Sequence, residues 1–215
     1  MFHLENIKCT ADEQEILSLS ELKIDCDSPT LILGPSGCGK TSLLQVMAGI
    51  RKAQSGSISY NGTDLSALKA SQRDKFRGQN FGFIFQNFHL IKHLSVVENI
   101  KLACMGAQIS ANDEMIFELL ERLNLTDKSK SKAGVLSQGE AQRVAIARSI
   151  ANKPKVIFAD EPTSALDDDN TLNAMDLLKA QASLTGAALI VATHDSRIKN
   201  HFKNVIKMNE GGLIS

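Results

Sequence analysis

A lysine and a threonine closing a glycine-rich run carry the clearest chemistry in this chain. Gly34-Pro35-Ser36-Gly37-Cys38-Gly39-Lys40-Thr41, continued by Ser42, fits the spacing G-x-x-x-x-G-K-[ST]. Glycines let successive backbone N–H groups turn inward around a phosphate, and a helix starting at the end of the run adds the positive end of its dipole. Lys40 is then placed to reach the β- and γ-phosphates of a nucleotide, and Thr41 to set its hydroxyl on Mg²⁺. Cys38 is expected to face the bound phosphate, where alkylation would block the site. Asp160 and Glu161 end the apolar run Val156-Ile157-Phe158-Ala159. Asp160 can help hold the metal shell, and Glu161 can orient or deprotonate an attacking water. Two acids ending a strand are by themselves a common helix cap; the phosphate loop reverses that reading.

Such a loop works only between a strand and a helix. Thr30-Leu31-Ile32-Leu33 is a short apolar run that stops at the glycines, and helical spacing runs from Lys40 through Leu43, Leu44 and Met47 to Gly49. Val156 to Ala159 and Ala188 to Ala192 read as buried strands of a parallel sheet, separated by helical patterns at Gln138 to Ala151 and Asp167 to Ser183. The expectation is an α/β fold, a P-loop NTPase core with a mostly parallel sheet. Ile16 to Asp25 alternates loosely, as a half-buried strand of a small antiparallel part. Between Asn87 and Ala133 the pattern is helical (Val96 to Met105, Ala111 to Leu123) without a strand. One nucleotide-binding domain, 1–215, with a helical subdomain inserted at roughly 87–150, accounts for this. Asn209-Glu210-Gly211-Gly212 reads as the turn of a closing hairpin.

The chain has 215 residues, and 24 basic side chains balance 24 acidic ones. That balance argues against a protein that holds nucleic acid through its phosphates, so no nucleic acid is expected as a partner. No apolar run approaches the roughly 20 residues that span a bilayer. The first residues lack the basic-then-apolar pattern of a secretion signal. Cys9, Cys26, Cys38 and Cys104 form no metal-spaced cluster and read as reduced thiols.

A third group of residues is more discriminating. Leu136-Ser137-Gln138-Gly139-Glu140, followed by Ala141-Gln142-Arg143, resembles the signature of the ATP-binding cassette (ABC) family, usually Leu-Ser-Gly-Gly-Gln. Gln86 after Phe83-Ile84-Phe85, the run from Glu161 to Asp167, and Thr193-His194-Asp195 match further family marks in order. The resemblance implies a homodimer that sandwiches two Mg-ATP. The signature Ser137, Gln138, Gly139 and Glu140 would then act in trans, Ser137 and Gly139 contacting the γ-phosphate held by the other subunit, and Asp167 would touch across the interface. It also implies that His194 contacts the γ-phosphate and that Gln86 contacts the metal or water and reports occupancy to the helical subdomain. Gln138 and Glu140 depart from the usual glycine and glutamine. No aromatic residue stands at Cys9-Thr10-Ala11-Asp12, where the family stacks adenine, so weaker ATP binding and looser base selectivity are expected.

Within the family, Phe81 to Leu90 and Ala159 to Asp167 look most like the bacterial lipoprotein-release and macrolide-export ATPases. That likeness implies a cytoplasmic ATPase, peripheral on the inner face of the cell membrane, driving a separate integral membrane permease. An alternative is a non-transporting cassette whose membrane partner regulates cell-wall hydrolases. A DNA-repair cassette is a remoter one, since no coiled-coil or zinc insertion is visible. A small GTPase would need an Asn-Lys-x-Asp motif, which is absent.

Overall fold

The computed structural model describes residues 1–11, 14–163, 168–210 and 212–213. The chain opens with strands β1 (Phe2–Ala11), β2 (Gln14–Ile24) and β3 (Thr30–Leu33), then helix α1 (Lys40–Met47). Next come β4 (Ser55–Tyr60), β5 (Thr63–Asp64), α2 (Ala70–Asn80) and β6 (Phe81–Ile84). Three helices follow, α3 (Val96–Ala107), α4 (Asp113–Arg122) and α5 (Gln138–Ile150). The last elements are β7 (Val156–Asp160), α6 (Asp168–Thr185), β8 (Ala188–Thr193), β9 (Asn204–Asn209) and β10 (Gly212–Leu213).

Strand order in the larger sheet is β10-β9-β3-β8-β7-β6, parallel throughout except for β10. Successive side chains of a strand point to opposite faces, so this sheet sorts its apolar residues by parity. Leu31, Ile157, Ala159, Leu189 and Val191 share one core with residues of α3, α4, α5 and α6. Ile32, Val156, Phe158, Ile190 and Ala192 share the other with α1 and the smaller sheet. Both faces of the parallel sheet are covered, which is why its strands read as unbroken apolar runs.

The smaller sheet, β2-β1-β4-β5, is antiparallel. Its loose alternation has a local cause. Burial in β1 switches phase at Asn6, whose φ is 51°, and β2 switches opposite it between Leu19 and Leu22. Gly56 packs on this irregularity, where an added Cβ would lie 2.3 Å from the Glu5 carbonyl oxygen. Phe2 then pins the two sheets together, its ring centroid 4.6 Å from Tyr60 and 5.7 Å from both Phe81 and Phe158.

Residues 87–133 form helices and 3-10 turns, with one isolated bridge between Ser95 and Lys132. The tail hairpin lies where it was expected, although β9 is an inner strand paired in parallel with β3. Gly211 of its turn lies outside the described residues. Helix α2 left no trace in the apolar pattern because none of its residues is buried.

Candidate nucleotide site

Strand β3 ends at the glycine-rich loop, and Gly34 N–H donates to the Thr193 carbonyl at the end of β8 (3.3 Å). A Cβ at Gly34 would sit 2.4 Å from the Met208 carbonyl oxygen, so the loop passes there only without a side chain. Gly39 starts α1 from the left-handed region (φ 95°), directing the free first-turn N–H groups toward the cleft. Lys40 Nζ donates to the carbonyls of Gly34 and Pro35, both at 2.8 Å. It also lies 3.5 Å from Glu161 Oε1.

The acids arrive on β7, whose Asp160 pairs in register with Ala192 of β8. Thr41 donates its hydroxyl to Asp160 Oδ1 at 3.0 Å. Burial pushes the Asp160 carboxyl above its ordinary pKa range, opposed by that bond. Glu161 adopts φ 47°, and its N–H donates to the Ala192 carbonyl at 2.8 Å. Its carboxylate accepts from Thr193 Oγ1 at 2.8 Å and His194 N–H at 3.1 Å, and meets His194 Nδ1 at 2.9 Å. Ser36, Gly37, Gly39 to Ser42, Gln86, Glu161, His194 and Ile16 line one open cleft of about 290 Å³. A hydroxyl and a carboxylate oxygen in mutual contact, with the Gln86 amide in the same cleft, form an all-oxygen donor set that suits a hard divalent cation such as Mg²⁺.

Helix α5 presents the other candidate end. Ser137 is its N-cap, its hydroxyl accepting from Glu140 N–H while Glu140 Oε2 accepts from Ser137 N–H at 2.8 Å. Lys128 Nζ adds an ion pair to Glu140 at 3.0 Å. The cap bonds and Lys128 hold the Glu140 carboxyl down at about 2. Neither this capping box nor Gly139 lines the cleft of its own chain. A carboxyl depressed on folding stabilises the fold above its unfolded pKa of about 4.3 and loses that contribution as pH falls toward 2. Wild type is therefore expected to exceed Glu140→Gln in urea midpoint at pH 6, with the gap shrinking steadily as pH falls from about 4.3 toward 2. A gap independent of pH would refute this.

The profile of the ABC transporter family matches residues 17–164. The chain belongs to the ABC transporter family. With membership comes an activity, since this is a family of ATPase cassettes. The cassette is 38% identical over 195 residues to an uncharacterized ABC transporter ATP-binding protein of Methanocaldococcus jannaschii, covering 90% of this chain and 87% of that one. It is 33% identical to the lipoprotein-releasing system ATP-binding protein LolD of Bacteroides thetaiotaomicron, over 99% of both chains. Identity is 34% to the macrolide export ATP-binding/permease protein MacB of Burkholderia pseudomallei, covering 95% of this chain but only 32% of that longer protein. Among solved structures it superposes on the dimeric structure of the bacterial ABC transporter cassette MJ0796 with a TM-score of 0.89 and 30% identity. That alignment covers 100% of this chain and 97% of that one. A second dimeric structure of MJ0796, a post-hydrolysis state bound to ADP and Pi, matches equally well.

The cassette thus brings Lys40, Thr41, Asp160, Glu161, Gln86 and His194 to one place, and corrects one expectation. The Cys38 side chain does not face the cleft; it is 3% exposed and packed in the core beneath the loop. The reason is Gly34, whose missing side chain leaves space that the thiol fills, 2.7 Å from where a Cβ would stand. Asp167 lies outside the described residues. The sequence gives no site role to Thr193, whose hydroxyl bonds the Glu161 carboxylate, or to Ile16, an apolar residue of the cleft lining. Nor does it give a role to Gln142, whose Nε2 donates to the Pro162 carbonyl at 2.8 Å and so ties α5 to the segment after Glu161. Only the approach of α5 to that segment, invisible along the chain, could have singled it out.

Proposed function

We propose that the cassette binds Mg-ATP in this cleft, closes with a second copy around two nucleotides, and drives a membrane permease of the lipoprotein-release or macrolide-export type. The observation that carries this reading is the convergence of Lys40, Thr41, Asp160, Glu161 and His194 from three separate chain segments. Gly37, Gly39 and the first turn of α1 cradle the phosphates, and Lys40 exchanges its loop carbonyls for phosphate oxygens. Thr41, Asp160 and Gln86 would hold Mg²⁺, which supplies charge neutralisation at the transferring phosphoryl group. Glu161, fixed by Thr193 and the His194 backbone, accepts a proton from water, and His194 orients that water. The capped N-terminus of α5 stands outside its own cleft, which suits a γ-phosphate held by the partner copy.

Nucleotide binding to the closed dimer stabilises it by linkage, and loss of the γ-phosphate releases it. The helical segment 87–150 would carry this change to the permease. A groove of about 460 Å³ lined by Phe85, Leu102, Ala103 and Gly106 lies beside the Gln86 loop and offers a docking place. Among the described residues no helix is long and apolar enough to cross a membrane, so the transport path would belong to the partner. Purifying the Glu161→Gln variant from membranes with and without Mg-ATP tests this. Recovery of an integral membrane protein supports the reading; recovery of only soluble protein or nucleic acid refutes the transporter assignment.

Ile16 would offer the base an aliphatic surface in place of an aromatic ring. Ile16→Phe is expected to tighten ATP binding by about 1 kcal/mol, roughly fivefold, by adding stacking. An unchanged dissociation constant would show that the base does not rest there.

A further inference from the structure

Arg148 lies in the last turn of α5, partly buried, and among the described residues no carboxylate pairs with it. Burial alone lowers its pKa. Asp74 lines the same groove but is engaged by Arg77 at 2.8 Å. The guanidinium instead grips backbone, Nη1 donating to the His89 carbonyl at 2.8 Å and Nη2 to the Phe88 carbonyl. Phe88 and His89 are consecutive and both have positive φ, 28° and 47° respectively. Two adjacent non-glycine residues in that region are costly unless their surroundings hold them there. Gln86, which lines the nucleotide cleft, is two residues upstream of this turn. Phe85 and His89 stack edge to face across the loop at 5.0 Å, and both Phe85 and Arg148 line the groove of about 460 Å³.

We infer that Arg148 is a positioning residue for Gln86: its forked guanidinium holds the Phe88–His89 turn and thereby fixes how Gln86 enters the nucleotide cleft from the groove side. The inference rests on the proposed role of Gln86 in that cleft. Two carbonyls on one turn are a target for a planar fork with several donors, and a lysine ammonium cannot reproduce it. Because Arg148 also borders the groove, a partner seated there would act on Gln86 through this grip.

Arg148→Lys and Arg148→Met separate positioning from packing, and the lysine variant remains informative if the methionine variant fails to fold. Hydrogen exchange on the nucleotide-free chain is read first. Amides 86–91 are expected to exchange about tenfold faster in Arg148→Lys, with the urea midpoint near wild type. Unchanged exchange there overturns the inference, whatever the ATPase result. In steady-state hydrolysis, Arg148→Lys should lower kcat about tenfold with KM for ATP within about twofold, since misplacing one group acts on the chemical step. Gln86→Ala should cost a similar factor, and the double variant should be no slower than Gln86→Ala alone. A double variant slower by the product of the two factors also overturns the inference. A wild-type chain with no ATPase would count against the proposed function, while faster exchange at 86–91 would still support the grip.

Discussion

Glu161→Gln is expected to lower ATP hydrolysis by about 10²–10⁴-fold while leaving ATP binding in place. The substitution keeps shape and one acceptor oxygen but removes the basicity that would take a proton from water. In the free cassette the carboxylate accepts from Thr193 Oγ1 at 2.8 Å and from His194 N–H at 3.1 Å, so its direction is set before nucleotide arrives. A glutamine can hold those donors with its remaining oxygen, and the cleft should keep its geometry. Each tenfold loss corresponds to about 1.4 kcal/mol in the barrier, so the range is about 3–5.5 kcal/mol. With hydrolysis stopped, ATP stays bound and the closed dimer should accumulate by linkage. Single-turnover hydrolysis gives the rate, and size exclusion with ATP against ADP gives the dimer. Retention of more than about a tenth of the wild-type rate would place the proton acceptor elsewhere.

The residues of the candidate cleft were legible from the chain because its parts are local. A glycine loop between a strand and a helix, or two acids at the end of an apolar run, can be read in a window of about ten residues. The strands β3, β7 and β8 and the helices α3 to α6 were visible for the same reason, since burial on both faces or on one stripe leaves a clear period. What escaped depends on contacts between distant segments. Cys38 was expected to face phosphate because its neighbours do; its actual direction follows from the space left by Gly34, against Met208 of β9. Gln142 and Arg148 look like ordinary polar positions of a helix until α5 is packed beside Pro162 and the Phe88–His89 turn. Helix α2 buries none of its residues, so its sequence carries no apolar period to detect. The signature end is the intermediate case, since a Ser-x-x-Glu box announces a helix start but not what that start will face.

Lys40→Met is expected to weaken nucleotide binding about a hundredfold, and also to weaken the free protein. Both effects follow from one position. Lys40 is 5% exposed, donates to the Gly34 and Pro35 carbonyls at 2.8 Å, and lies 3.5 Å from Glu161. Removing the ammonium strips those carbonyls of a donor and leaves the Glu161 carboxylate, 7% exposed, without the lysine cation beside it. Loss of hydrogen bonds to a charged group costs about 1.5–3 kcal/mol each when the partner stays buried, reduced here because the cleft opens to water. A drop of about 2 kcal/mol in unfolding free energy is therefore expected without nucleotide. With nucleotide the same charge would meet phosphate oxygens, and two such bonds are worth about 3 kcal/mol or more, roughly a hundredfold in affinity. Urea unfolding with and without Mg-ATP separates the two losses. At a hundred times the wild-type dissociation constant, ATP should stabilise wild type by about 2.7 kcal/mol and Lys40→Met by only about 0.4 kcal/mol. Equal stabilisation of both proteins would mean that Lys40 serves the loop and not the phosphates. A variant as stable as wild type without nucleotide would mean that its bonds to Gly34 and Pro35 contribute nothing net, and that the loop is held by Gly34 and α1 alone.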